Sequence, residues 1–194
     1  MKNVDYNRIL QQFCFTKKED ERYNFFRGAF TMPRHLQLGN KTYTCASDNF
    51  NLAIVKNKIE LAKKVIFNQE AKCLEHKICK LLDFYSDKHF ATINIDFAKI
   101  ASIYEVAKIE YRKIPPKSLS MVIIDFNGIF IRFKHFQKVY RSFKKLFNNK
   151  NGNIEFTVLN NGVLSLFKWS AGLIEIYIVE CNKDDKDIII KAIL

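Results

Sequence analysis

Four cations, Lys134, Lys138, Arg141 and Lys145, follow one another at steps of four, three and four residues. On a helix, at about 100° per residue, they fall within roughly 60° of one another. At about 1.5 Å of rise per residue their stems stand roughly 4.5 to 6 Å apart, a spacing at which flexible cationic side chains can follow the phosphates of a nucleic acid. No acidic residue lies between Asp125 and Glu155, whereas Arg132, Lys144 and Lys150 add to the local charge. Like charges at i,i+4 repel by about a few tenths of a kcal/mol per pair, so an uncompensated row asks for an anionic partner. The alternative is that lysine is a good solvated helix former whose stem covers apolar surface.

The other chemically suggestive residues carry less. Cys73, His76 and Cys79 form a Cys-x2-His-x2-Cys string. Ligands at i, i+3 and i+6 point in different directions on a helix, and no second cluster supplies a fourth ligand for a closed tetrahedron, so no metal site is expected. His35, His89 and His135 have no carboxylate or nucleophile at motif spacing. Asp48, in Ala46-Ser47-Asp48-Asn49-Phe50, reads as a turn residue capping its own backbone. With no phosphate-cradling glycine loop, no nucleophile elbow and no paired-carboxylate signature, the chain is expected not to be an enzyme, to have no catalytic residues and to use no cofactor or small-molecule substrate.

The whole composition agrees with a polyanionic partner. Among 194 residues, 32 Lys and Arg stand against 20 Asp and Glu, a formal charge of +12, which favours nucleic acid or an anionic surface. Nucleic acid is the stronger expectation. There is no apolar run that could span a bilayer and no signal-peptide pattern at Met1–Tyr6, so a cytoplasmic location and no membrane association are expected. Cys14, Cys45, Cys73, Cys79 and Cys181 are odd in number and scattered, which fits reduced thiols rather than a disulfide framework. Apolar residues make up 48% of the chain, enough for a sizeable core.

Elements to position the cations follow from periodicity. Tyr6, Ile9, Leu10 and Phe13 occupy i, i+3, i+4 and i+7, one face of a first helix. Phe25–Met32 reads as a strand stopped by Pro33, with Gly39-Asn40 turning the chain into Thr42–Ser47 and Asp48-Asn49 into Phe50–Lys56. Residues 57–118 carry three possible helical faces, at Ile59–Ile66, Ile78–Phe84 and Phe97–Ile109, closed by Pro115-Pro116. Met121–Ile124 and Ile129–Phe133 read as strands around Asn127-Gly128, and Lys134–Phe147 as a helix with Phe136, Val139, Tyr140, Phe143, Leu146 and Phe147 on its core side. Three strands follow, Ile154–Leu159, Val163–Trp169 and Leu173–Val179, and Ile188–Leu194 suits a last one. Trp169 fits the core better than an exposed stacking platform. Both ends of the chain thus read as a helix followed by a three-stranded meander.

That order resembles one domain of the DNA sliding clamp family, of the bacterial DNA polymerase III β-clamp type. Lys18–Ala29 looks like the family's arginine before a strand with a small-residue pair. Cys45-Ala46-Ser47-Asp48-Asn49-Phe50-Asn51-Leu52-Ala53 is similar to its turn of Ala-Thr-Asp-Gly-His-Arg-Leu type, and Ile129–Val179 to its strand, helix and meander half. The resemblance covers about two thirds of the chain. It implies an α+β, DNA-clamp-like domain over 1–194, with two helix-plus-meander halves, 1–56 and 119–194, antiparallel sheets, and a partly helical insertion, 57–118. Two helices would face duplex DNA, with Lys134, Lys138, Arg141 and Lys145 on the phosphates and Arg8, beside Gln11 and Gln12, as the first helix's weaker contribution. Asn49-Phe50-Asn51 departs from the family's Gly-His-Arg and lacks its basic side chain.

The expected function is therefore a sequence-nonspecific, clamp-like DNA-binding accessory protein of replication or repair, a processivity factor. A ring would need a homo-oligomer or a partner clamp chain, because this chain holds one such domain. The rivals are a non-ring protein-interaction domain docking an acidic partner and an RNA-binding module.

Overall fold

The computed structural model describes residues 5–14, 32–38, 40–48, 50–57, 59, 91–147, 154–160, 162 and 165–192. The chain is mixed α+β, with antiparallel pairing predominant. It divides into two compact units, the first comprising Met1–Phe90 and Leu173–Ile176, the second Ala91–Gly172 and Tyr177–Leu194.

In the first unit, α1 (Tyr6–Gln12) begins where the Asp5 carboxylate accepts from the Arg8 backbone N–H at 3.1 Å, satisfying one of the donors that a helix start leaves bare. Ile9, Leu10 and Phe13 are buried, as their spacing predicts, and the helix lies against β2 (Lys41–Ser47) and β3 (Asn51–Val55). With β1 (Arg34–Leu38) these strands form an antiparallel meander, paired Leu38↔Lys41 across one turn and Ser47↔Leu52 across the next. At the second turn Asp48 Oδ1 accepts from the N–H groups of Phe50, at 3.2 Å, and Asn51, at 2.9 Å, which is the capping role expected of it. The expected strand Phe25–Met32 falls, apart from Met32, outside the described residues. Pro33 precedes a strand rather than ending one: it lacks an N–H, but one residue ahead of the ladder it removes no bond.

The second unit opens with β4 (Ala91–Ile95) and α2 (Phe97–Lys113). The Asp96 carboxylate caps α2 by accepting from Lys99 N–H at 2.8 Å, and Arg112 and Lys113 sit in the last turn, where the helix dipole favours cations. The helix ends at Ile114, ahead of Pro115-Pro116, which suits a residue barred from helical geometry by the proline after it. Of the region expected as an insertion, the faces at Ala62–Ile66 and Ile78–Phe84 lie outside the described residues, while Ala91–Lys113 supply β4 and α2 to this unit.

A short 3-10 helix, Pro116–Met121, leads into β5 (Val122–Phe126), β6 (Ile129–Arg132) and then α3 (Phe133–Phe147). β5 and β6 pair antiparallel around the two-residue turn Asn127-Gly128, both at positive φ, 56° and 89°. This mirror-image turn matches the natural strand twist and is the reason for Asn-Gly here. β7 (Glu155–Asn160) pairs antiparallel with β8 (Ser165–Ala171) and with β4; the end of β9 (Ile174–Val179) runs on to Glu180, whose N–H donates to Ser165 O at 3.0 Å. β10 (Ile188–Lys191), the last strand expected, pairs parallel with β5.

The core of this unit is aromatic. Phe136, Val139, Tyr140 and Phe143 of α3 are all buried, and Phe136 meets Phe126 of β5, Phe156 of β7 and Trp169 of β8 at ring-centre distances of 6.0, 6.3 and 5.6 Å. Each such side chain contributes about 1.5–3 kcal/mol by leaving water. Trp169 is fully buried, a core residue and not an exposed platform. No helix among the described residues is long and apolar enough to cross a membrane.

Candidate nucleic-acid interface

Because the aromatic face of α3 is fixed against β5, β6 and the β7–β8 pair, its opposite face is fixed too. Lys134, Arg141 and Lys145 are exposed there and Lys138 is half-buried. Lys144 and Lys145 occupy the last turn, where cations complement the helix dipole, but the first turn holds Lys134 and no acidic residue. A cation at that end opposes the dipole by about 0.3–1 kcal/mol, added to the repulsion along the row. The helix carries this arrangement on the strength of its buried side.

Along one flank of the row lies α2. Tyr104 of α2 stacks on Tyr140 of α3 with ring centres 4.0 Å apart, and Phe97 stacks on the same ring at 5.7 Å. The Tyr104 hydroxyl accepts a hydrogen bond from Arg141 Nε at 3.1 Å. Lys108 and Lys144 lie over the Tyr104 and Tyr140 rings, 5.7 and 5.8 Å from their centres, each in range for a cation–π contact. Burial first, and then the nearby Glu105 and Tyr104, push the Tyr140 phenol up. It stays protonated.

One carboxylate enters this seam. Glu105 of α2 pairs with Lys108 at 2.8 Å. The Lys108 hydrogen bond, with the charges of Lys108, Lys144 and Arg112, holds the Glu105 carboxyl below its ordinary value against a smaller opposing effect of burial. Residues near in sequence to the row offer it no acid, but folding brings one in from α2. Tyr104, Glu105, Lys108 and Arg112 were missed as site residues because nothing in the local pattern says which helix borders α3. The spacing of Phe97, Ile100, Tyr104 and Ala107 could have marked the packed face of α2.

Arg8 is exposed on α1 of the first unit, whereas the other four candidate cations share one helix of the second. His35 Nε2 donates to Ile59 O at 2.7 Å and is a satisfied histidine; His135 is half-buried on α3. Cys73, His76, Cys79 and His89 lie outside the described residues. Among the described residues no three His, Cys, Asp or Glu side chains gather in a way that could hold a metal ion. Cys14, Cys45 and Cys181 are free thiols, and burial pushes the Cys45 and Cys181 thiols up, away from the reactive thiolate.

No family model, no curated protein and no solved structure matches this chain.

Proposed function

We propose that this protein is a sliding-clamp-like, sequence-nonspecific DNA-binding accessory protein of DNA replication or repair, acting in the cytoplasm on duplex phosphates, with neither a cofactor nor catalysis of its own. One observation carries the reading: four cations share the outer face of a helix whose opposite face is locked into an aromatic core. Support also comes from the two helix-plus-meander runs, α1 with β1–β3 and α3 with β7–β9. Ring closure would come from copies of this chain or from a partner clamp chain.

Phosphate binding of this kind depends on released counterions. Four contacts give a log–log slope of affinity against salt of about −3.6 on duplex DNA. Titrating a labelled duplex of arbitrary sequence across salt concentrations tests this, and a second, unrelated duplex should bind equally. Affinity that ignored salt would overturn the mechanism. Absence of duplex binding would favour a protein-interaction domain docking an acidic surface, and a strong preference for single-stranded RNA would favour an RNA-binding module.

A further inference from the structure

We infer that Tyr104 is a positioning residue for phosphate binding: its hydroxyl holds Arg141 by Nε, so that the guanidinium presents both Nη groups as a two-pronged donor to a single backbone phosphate. The inference rests on α3 being the DNA face and adds to it a division of labour among the cations. Arg141 is exposed, and the one hydrogen bond of its side chain among the described residues is the 3.1 Å contact from Nε to the Tyr104 oxygen. The acceptor is rigid. Tyr104 is 4% exposed, stacked on Tyr140 at 4.0 Å and on Phe133 at 6.2 Å.

A guanidinium is a flat fork. Fixing its Nε edge to a buried phenol leaves the end-on pair of Nη groups in water, in the geometry that meets two oxygens of one phosphate. It also removes, before binding, rotamer freedom that the side chain would otherwise lose on contact. Lys134 and Lys145 have no such anchor among the described residues, and an ammonium is a point charge without a fork. Arg141 is thus the oriented contact of the row, and Lys134 and Lys145 are the adaptable ones.

The test uses the full-length chain with Tyr104→Phe, Arg141→Lys, the two combined, and Arg141→Ala, measured on one duplex across salt. Tyr104→Phe keeps the stacked ring and every cation. The expected result is that Tyr104→Phe and Arg141→Lys each weaken affinity at fixed salt by about three- to tenfold, the worth of one hydrogen bond, with unchanged salt slopes. The combined variant should bind no worse than Arg141→Lys alone, because without the fork there is nothing for the phenol to position. Wild-type affinity for either single variant, beside weakened binding by Arg141→Ala, would overturn the positioning role and leave the DNA face standing. Independent, multiplying losses in the combined variant would overturn it as well. An Arg141→Ala variant that binds like wild type would instead remove Arg141 from the DNA face, and the inference with it. Arg141→Lys keeps the proposal testable should Tyr104→Phe lower the melting temperature.

Discussion

Asp187 shows how much a buried charge depends on its counter-charge. Its side chain is 2% exposed, it pairs with Arg132 of β6, and its other oxygen accepts from Asp184 N–H at 2.8 Å. Burial alone would raise its carboxyl, but the Arg132 hydrogen bond, the Asp184 N–H and the Arg132 charge together hold it below the ordinary 3.8. Arg132 is 28% exposed and can turn to water, whereas Asp187 cannot. Arg132→Ala should therefore cost more than Asp187→Ala, about 3 kcal/mol in denaturant unfolding, because it leaves the buried carboxylate without its counter-charge. The pH dependence follows in sign. The folded carboxyl binds its proton less tightly than the unfolded one, so the stabilisation is complete above the unfolded value and is lost as pH falls through the lower folded one. Asp187→Asn should flatten that part of the acid-unfolding curve, and an unaltered curve would show that the pair does not govern it. None of this was legible in the sequence, since 55 residues separate the two partners.

Helix α3 is where sequence and fold agree best. Its bounds, its apolar face and the row of cations all follow from 3.6-residue spacing, because an amphipathic helix writes its burial into local order. Phe136→Ala at the centre of that face should destabilise by about 3–5 kcal/mol in chemical denaturation, the cost of a buried ring and the cavity it leaves. A loss below about 1 kcal/mol would mean that the aromatic core does not hold α3 in place. The Asn127-Gly128 turn was equally plain, since its backbone needs positive φ at both positions. β4 was not. Its residues Ala91-Thr92-Ile93-Asn94-Ile95 do alternate apolar and polar, but over five positions only, and four of the five are exposed, so no buried face extends the pattern. Nor could the parallel pairing of β10 with β5 be read, because local sequence fixes a strand but not its neighbour. For the same reason the border between α2 and α3, and with it Tyr104, stayed hidden. The row of cations was legible; the residue that orients one of them was not.

At the scale of the whole molecule, a formal charge of +12 would draw any polyanion, so binding to DNA alone does not place the contact. The 32 basic residues divide evenly, 16 in residues 1–97 and 16 in 98–194, and α3 differs from its surroundings in arrangement more than in amount. The decisive comparison therefore holds total charge constant. Lys134→Glu/Lys145→Glu reverses two exposed cations of α3, and Lys183→Glu/Lys186→Glu reverses two exposed cations of the loop before β10, by the same change in net charge. Both variants and the wild type are titrated with one labelled duplex at low and moderate salt, with melting temperatures recorded alongside. Binding through the face of α3 should give a loss of roughly tenfold or more and a shallower salt slope for the α3 variant, and a change within about threefold for the loop variant. Equal losses in the two would contradict it, because the molecule would then bind DNA by overall charge and not by the face of α3.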